Sequence, residues 1–443
     1  MARAKFPGFF WAANTMEIFE RMGWYGFYAV SSLYLTGAVA EGGLGLSSED
    51  RGVIQGLATF FLYLFPAVFG ALADRYGFKQ MFLASCAVMI PGYLLLQLPE
   101  SFWGFFGVYF LVAVGHGMFK PVVISSVAKA VTEETGSMGF GIFYMMVNIG
   151  GFLGPIVAGV VRGWDWDYVF YASAAWILVM GIVALIFYKE PPRDEAMEQR
   201  RSLREVFGGI VAVVGNGRFF VFVAGILVLL VMGSKWLQPV QYLPAAGGWI
   251  VLNLAYDVAL RARAGRADHW LREPMQVGEG RYLVFLLLMS FFWISFNQIF
   301  MTLPEYIRDY TDTSDLIGDL APIAGAITGF AQSLGLNTSE WSRAVLQHGQ
   351  VKPEHLINLN AFGIIVGQVG IAYLSRKLRP LATIIAGTLI TVVSFLFYLV
   401  GQGGWIVVAA ILVFSVGEML SSKHSKEYAG RSAPPGKVGM YMG

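Results

Sequence analysis

The sequence predicts an all-α polytopic membrane protein. Of its 443 residues, 56% are hydrophobic and only 14% are charged, and the mean hydropathy is +0.60. Soluble domains carry about 25% charged residues, whereas a run of about 20 apolar residues is long enough to cross a bilayer as a helix. Such runs recur along the whole chain. Composition and run length therefore favour a bundle of membrane-spanning helices over a soluble domain.

The first part of the chain contains six apolar segments. Basic residues, including the run from Lys189 to Arg204, fall on one side of these segments, and the alternate loops hold few. Because cytoplasmic loops are enriched in Lys and Arg, the N-terminus and the 189–206 loop are expected to be cytoplasmic, with the first segment retained as a span. The predicted spans lie at about 9–36, 51–72, 80–98, 102–127, 139–161 and 167–188.

The second part of the chain contains six further apolar segments. Two of them follow the 189–206 loop, and four more follow the basic stretch from Arg261 to Arg272. The connection 305–356 is long and polar apart from its Ala/Gly-rich centre, and it is expected to be extracytoplasmic. The predicted spans lie at about 208–234, 242–260, 281–304, 357–375, 381–400 and 405–421.

Three ionisable side chains, Glu17, Glu20 and Arg21, interrupt the first apolar segment. Residues three or four apart share one face of a helix, so these three are expected to crowd together. Charge in the hydrocarbon core costs about 2.5–3.5 kcal/mol per residue, and such groups usually face a water-filled cavity on an ion or substrate route. Two carboxylates beside one guanidinium are suited to carrying a proton. The alternative is a structural ion pair that only holds the helix in place.

Two further charges, Lys120 and Glu418, lie in other predicted spans. At a rise of about 1.5 Å per residue, Lys120 lies about 12 Å from the cytoplasmic end of its span and Arg21 about 18 Å from its own. Asn148 has a similar depth and Glu418 is somewhat shallower. Charges of both signs at comparable depth suit a zwitterion. The alternatives are that Lys120 snorkels to the interface and that Glu418 is solvated near Lys423.

The loop after the second span carries the sequence Gly70-Ala-Leu-Ala-Asp74-Arg75-Tyr-Gly77-Phe-Lys79. It resembles the loop signature of the major facilitator superfamily. Asp74 lies at a helix end, where it can hold a neighbouring helix N-terminus or a basic side chain in one conformational state. Asp74 and Arg75 are therefore expected to contribute to conformational gating.

The first span carries the pattern Glu-x-x-Glu-Arg-x-x-x-Tyr-Gly from Glu17 to Gly26, which is similar to a signature of the proton-dependent oligopeptide transporter family. Other segments resemble further motifs of that family in the expected order. They are Gly115-His-Gly-Met-Phe-Lys-Pro121, Phe143-Tyr-Met-Met-Val-Asn148-Ile-Gly150, Phe292-Trp-Ile-Ser-Phe-Asn-Gln298, Leu359-Asn360 and Gly417-Glu418.

This resemblance implies a two-bundle fold of the major-facilitator type with two extra linker helices. Residues 1–188 would form the N-terminal six-helix bundle, 189–280 a cytoplasmic linker with two additional membrane helices, and 281–443 a C-terminal bundle. On that numbering the chain stops at Gly443, where an eleventh helix is expected, so the last two helices would be lacking and the chain truncated.

The resemblance also implies proton-coupled import of di- and tripeptides by alternating access, without a cofactor. Glu17, Glu20 and Arg21 would couple transport to protons, Arg21 and Lys120 would bind the peptide carboxylate, and Glu418 would bind its amino group. Further pocket positions match Tyr25, Tyr63, Asn148, Trp293 and Asn360. For a lone aromatic residue, packing or an interfacial belt is the alternative.

The chain departs from the family pattern at two positions that can form a gating ion pair. Tyr28 replaces the arginine seven residues beyond the arginine of the first signature, and Asn297 replaces an acid in the seventh helix. Losing both partners leaves no orphan charge. A hydrogen bond between Tyr28 and Asn297 would replace the ion pair without titrating near neutral pH.

Three other interpretations follow from the same sequence. The first is a relative that carries a modified peptide, an amino-acid conjugate or an organic anion, and the second is a non-transporting sensor. An enzyme is the weakest, because no nucleophile–base set, metal cluster or phosphate loop is present. The net charge of +2 gives no indication of nucleic-acid binding, the one cysteine, Cys86, excludes an intrachain disulfide, and the lone His116 is assigned no role. The expected protein is a monomer in the plasma (inner) membrane.

Overall fold

A computed structural model describes residues 6–132, 134–192, 216–262, 269–275, 280–375 and 378–432. Within these ranges the chain is almost entirely α-helical. The β structure there consists of one antiparallel pair of two-residue strands, β1 (Leu346–Gln347) and β2 (Gln350–Val351), and an isolated bridge between Asp312 and Gly403. The predicted all-α class is confirmed.

All six apolar segments of the first part are helical. Side-chain caps fix two of the starts: Ser47 accepts a hydrogen bond from the backbone of Asp50 (3.1 Å), and Ser101 accepts one from Gly104 (3.3 Å). At the end of the second helix, Gly77 has φ +102°, a conformation that favours glycine. The helices are α1 (Gly8–Thr36), α2 (Ser48–Tyr76), α3 (Phe78–Leu95), α4 (Phe102–Ala130), α5 (Gly136–Val161) and α6 (Asp167–Ile186).

Helix α1 lies at the centre of this first bundle, where it packs against α4, α5 and α6. Its crossing with α5 depends on small residues: a Cβ added to Gly154 would lie 2.6 Å from the carbonyl oxygen of Met22, and one added to Gly150 would lie 2.5 Å from that of Ile18. Small residues allow helix backbones to approach this closely in membranes. The charged face of α1 is therefore held in a fixed position.

Two helices, α7 (Gly217–Trp236) and α8 (Pro239–Arg261), form a hairpin after the first bundle. The ring of Trp249 covers Gly225, and its Nε1 donates to the carbonyl oxygen of Phe222 (2.9 Å). The hairpin contacts the first bundle through Lys235, which pairs with Asp50 at 2.6 Å. The predicted span at 208–234 begins outside the described residues, because its positions 208–215 are not among them.

The 305–356 connection in the last part of the chain is structured. That connection contains helices and the β pair, because its Ala-rich centre favours a helix and prolines at the first helical positions start two others. The helices of this part are α9 (Gly280–Met301), α10 (Leu303–Tyr310), α11 (Ser314–Ser333), α12 (Trp341–Val345), α13 (Pro353–Ile357), α14 (Leu359–Ser375), α15 (Pro380–Leu396) and α16 (Gly404–Ser432).

Among the described residues, eight helices are long and apolar enough to cross a membrane. The other four predicted spans are also helical, and one of them, α1, carries three charged residues. The two groups of helices meet where α1 contacts α9 and α10 and where α5 contacts α12, α13 and α14. The eight helices lie at Ser48–Gly70, Phe78–Leu95, Phe102–Ala130, Met138–Val161, Asp167–Ile186, Pro239–Arg261, Leu381–Leu399 and Gly404–Ser422.

Candidate functional site

The charged residues of α1 form a buried cluster with residues from α4. Arg21 donates through Nε and Nη2 to the two carboxylate oxygens of Glu20, and its Nε lies 3.6 Å from Glu17 Oε1. Both carboxylates are fully buried. The expectation that spacing places all three on one face is met.

The sequence predicted two carboxylates against a single guanidinium, but the structure adds a second cation to the cluster. Lys120 of α4 donates to Glu17 Oε1, so two cations face two carboxylates. Glu17 Oε2 has no hydrogen-bond partner among the described residues. The ammonium-bearing side chain of Lys120 keeps 28% of its surface exposed, which leaves room for a further anion beside it. This ion pair argues against the alternative that Lys120 snorkels to the interface.

His116 completes the cluster, although no role was predicted for it. Its Nδ1 lies 2.5 Å from Glu20 Oε1, and its Nε2 lies 2.8 Å from the hydroxyl of Tyr93 on α3. His116 and Lys120 are four residues apart, a spacing that puts both on one helix face. This spacing, read against the charges of α1, is the signal that could have identified His116.

A small cavity of about 50 Å³ lies beside this cluster, between the two helix groups. It is lined by four of the predicted site residues: Tyr25, Asn148, Asn360 and Glu418. The Arg21 guanidinium lies 5.5 Å from the centre of the Tyr25 ring and so connects the cluster to the cavity. Ligand pockets usually measure about 300–1,000 Å³, so this cavity is smaller than an ordinary ligand pocket.

The carboxylate of Glu418, the acid of the cavity, accepts a hydrogen bond from the side-chain amide of Asn360. Asn360 donates to Glu418 Oε2 (2.9 Å) and to the Ser415 hydroxyl (3.1 Å). On the opposite wall, Asn148 donates to the carbonyl oxygen of Tyr144 within its own helix (2.8 Å). The cavity therefore presents a carboxylate on one wall, and the cations of the cluster lie behind the other.

Two predicted pocket residues lie outside this cavity. Tyr63 on α2 keeps 63% of its surface exposed. Trp293 packs in a small apolar cluster with Phe292, Met289 and Ile384, and its ring contacts Phe296, which does line the cavity. In this conformation Trp293 packs behind a residue of the pocket wall, and Tyr63 does not line the cavity.

The predicted hydrogen bond between Tyr28 and Asn297 is present. The Tyr28 hydroxyl donates to Asn297 Oδ1 (3.1 Å), and the Tyr28 ring stacks on Phe300 at 5.2 Å. Of the other predicted gating residues, the side chain of Asp74 lies outside the described residues. Arg75 is exposed and lies over the ring of its neighbour Tyr76.

Two ion pairs between the helix groups were not predicted. Arg51 near the start of α2 binds Glu305 of α10, with Nη2 to Oε2 at 3.1 Å. Arg162, which follows α5, binds both carboxylate oxygens of Glu354 in α13 at 2.9 and 3.1 Å. Both pairs lie at the same end of the molecule as the 305–356 connection. Their partners are more than 190 residues apart in sequence, so spacing could not reveal them.

Glu354 belongs to the more buried of these two pairs. Burial by itself raises the pKa of the Glu354 carboxyl. The positive charge of Arg162, and then His355, lower this pKa by more than burial raises it, so the net pKa lies below its ordinary value. Nearby, Lys352 donates to the carbonyl oxygen of Gly159 (2.7 Å). The helix groups are therefore held together at this end by charged contacts that persist at neutral pH.

The fold and the sequence together define a multi-pass helical membrane protein. The profile of the Major Facilitator Superfamily matches residues 15–443, and the chain belongs to that family. The motif resemblance to peptide transporters is confirmed by relatives. The chain is 27% identical over 322 residues to the peptide transporter YePEPT of Yersinia enterocolitica, covering 67% of this chain and 59% of that protein. It is 27% identical to dipeptide and tripeptide permease A of Serratia proteamaculans, covering 47% and 42%.

Solved structures agree with this fold. A peptide transporter POT in complex with sulfate has a TM-score of 0.66 at 20% identity and covers 100% of this chain and 86% of its own. A POT family transporter in complex with 5-aminolevulinic acid has a TM-score of 0.64 at 20% identity, with coverages of 98% and 86%. The chain spans less than two thirds of the length of the curated relatives named above. These relatives are all named as transporters or permeases, in agreement with a protein that is not an enzyme.

Proposed function

We propose that this protein imports di- and tripeptides together with protons by alternating access. The observation that carries the proposal is a buried cluster of two cations and two acids next to a cavity with its own acid, between two helix groups. The separation of charge suits a zwitterion: Arg21 and Lys120 bind the peptide carboxylate, and Glu418, held by Asn360, binds the ammonium group. The names of the relatives support this substrate class.

Proton coupling follows from the pairing inside the cluster. Arg21 is occupied by Glu20, and Lys120 by Glu17, so a substrate carboxylate has to compete with an internal acid for either cation. Protonation of Glu17 or Glu20 removes that competition and leaves a cation for the substrate. The buried cluster, neutral before binding, then remains neutral after it has taken up one carboxylate and one proton.

Alternating access requires gates on both sides of the cavity. At one end we assign this role to the ion pairs of Arg51 and Arg162 together with the bond of Tyr28 to Asn297, and at the other to Asp74 and Arg75. Opening the first set would admit substrate and allow the cavity to expand. By the distribution of basic residues, this first set faces outward, and the N-terminus faces the cytoplasm.

The remaining features belong to the same proposal. The protein acts as a multi-pass monomer in the plasma (inner) membrane, with the bilayer, a small peptide and protons as its partners. Residues 1–188 form one bundle, 189–280 the linker with the α7–α8 hairpin, and 281–443 the second bundle.

Replacing Glu418 with Gln tests the ammonium site. The change keeps the shape of the side chain and its bond to Asn360 but removes the negative charge. We expect the KM for dialanine to rise by about 10-fold or more, because a lost charge-assisted bond costs about 1.5–3 kcal/mol. N-acetyl-dialanine, which lacks the ammonium group, should bind the variant and the native protein equally. An unchanged KM for dialanine would contradict the assignment.

A second candidate substrate is a non-peptide zwitterion or an amino-acid conjugate. The structural relative in complex with 5-aminolevulinic acid, and the uncharged Tyr28–Asn297 contact, favour it. Competition separates the two candidates: a panel of dipeptides should displace a bound ligand if peptides are the substrates. If only 5-aminolevulinic acid or a related compound displaces it, the second candidate is correct.

A further inference from the structure

We infer that His116, held in place by Tyr93, sets the pH at which Glu20 releases Arg21. This inference deepens the proposed function and rests on it. His116 acts through Glu20 and does not line the substrate cavity, so it is a positioning residue. Neither the family motif nor the predicted charge cluster assigns it such a role.

The hydrogen bonds of the imidazole define how it is protonated. His116 is only 1% exposed, and both ring nitrogens have partners. An ionised carboxylate only accepts hydrogen bonds, so Nδ1 carries the hydrogen and donates to Glu20. Nε2 then presents its lone pair to the Tyr93 hydroxyl, which donates to it. A neutral imidazole therefore satisfies both contacts, and Tyr93 fixes the tautomer that binds Glu20.

The groups that face His116 come from three helices. On α1 these are Glu17, Glu20 and Arg21, and on α4 Lys120 lies one turn away. On α3 the facing group is Tyr93. The ring of Trp24, which belongs to α1, packs edge-on against the imidazole of His116, with the ring centres 4.8 Å apart. Glu17 is already paired with Lys120, and Glu20 is shared between Arg21 and His116. The charges balance without a proton on the imidazole.

His116 therefore competes with a proton for Glu20. The Glu20 carboxylate accepts from Arg21 Nε, Arg21 Nη2 and His116 Nδ1. Each of these donors favours the ionised form of an acid. Removing the His116 donor should allow Glu20 to take up its proton at a higher pH, and Arg21 would then be released at a higher pH as well.

The test follows the carboxylic-acid band of Glu20 by infrared difference spectroscopy of the detergent-purified protein during a pH titration. The band is assigned by its loss in Glu20→Gln. His116→Asn places an amide nitrogen near the position of Nδ1 and keeps a donor for Glu20, whereas His116→Gln places its amide toward Tyr93 and loses that donor. We expect the midpoint in His116→Gln to rise by about one pH unit, and that in His116→Asn to stay near the native value.

Tyr93→Phe provides a second variant that keeps the imidazole, and its midpoint should shift in the same upward direction. Equal midpoints in all folded variants would overturn the inference. A shift in His116→Asn as large as that in His116→Gln would also overturn it, because it would show that the titrating imidazole itself is required. The spectroscopic midpoint needs no substrate. A protein that shows these shifts but transports no dipeptide would therefore contradict the proposed function and leave the role of His116 intact.

Discussion

Replacing Lys120 with Ala is expected to reduce dialanine uptake by about two orders of magnitude. Lys120 neutralises the fully buried Glu17, whose other nearby cation, Arg21, is 3.6 Å away and bound to Glu20. Leaving a buried charge without its partner costs about 3 kcal/mol or more, and each 1.4 kcal/mol is about tenfold. The variant cluster would also carry a net negative charge, which repels the substrate carboxylate. Initial rates of labelled dialanine uptake measure this effect.

Two controls separate substrate binding from folding in this experiment. Lys129→Ala removes an exposed cation at the end of the same helix and should leave uptake unchanged. The double variant Lys120→Ala/Glu17→Gln restores neutrality, so its thermal stability should recover while uptake stays low. If uptake recovers along with stability, Lys120 serves only to balance Glu17 and does not bind the carboxylate.

Breaking the Arg162–Glu354 pair is expected to open the outer end of the protein. Glu354→Gln leaves Arg162 without a charged partner across the helix groups, and removing one member of a buried pair costs about 3–5 kcal/mol. A cysteine introduced at Ala361, which lines the cavity, reports the opening in a background where Cys86 is replaced by Ser. An impermeant maleimide added outside should label this cysteine about 10- to 100-fold faster in the Glu354→Gln variant. The increase is smaller than the full cost of the lost pair would give, because the neighbouring contacts also hold this end closed.

The exchanged pair Arg162→Glu/Glu354→Arg should restore slow labelling. Arg343→Ala, which breaks an exposed pair with Glu340, should have no effect. Fast labelling in the exchanged variant, or no change in Glu354→Gln, would show that this pair does not hold the outer end closed.

The lowered pKa of Glu354 predicts how this gate responds to pH. A carboxyl whose pKa is depressed in the folded state stabilises it fully above the ordinary value of about 4.3, and this stabilisation is lost only as the pH falls through the lowered pKa. The ion pair therefore remains charged between about pH 5 and 8. Both labelling rates of Ala361→Cys, with and without Glu354→Gln in the Cys86→Ser background, follow the thiolate fraction of the cysteine. Their ratio cancels that fraction and should be independent of pH over that range.

Helical spacing was sufficient to predict the face that carries Glu17, Glu20 and Arg21. A helix rotates by a fixed angle per residue, so residues close in sequence have a known relative position. The resemblance to the family motifs also led to the prediction of a hydrogen bond between Tyr28 and Asn297, and that bond is present. Composition and run length were enough to predict helices for all the spans, as far as the structure describes them.

The contacts between helices that are far apart in sequence could not be predicted in the same way. Lys120 reaches Glu17 across 103 residues, and Arg162 reaches Glu354 across 192, so these pairs depend on how distant helices dock. Helix α11 was not predicted, because no secondary structure was assigned to the 305–356 connection from the sequence. His116 was missed because a single histidine was weighed alone and not together with the charges opposite its helix face.

Accumulation of dialanine by liposomes that contain the purified protein tests the central claim most directly. With an imposed inward proton gradient, dialanine should rise inside above its outside concentration, and a protonophore should abolish the accumulation. An excess of another unlabelled dipeptide should block it. Uptake that only equilibrates, or that is insensitive to the protonophore, would contradict proton coupling. A folded protein that takes up no dipeptide at all would contradict the proposed substrate.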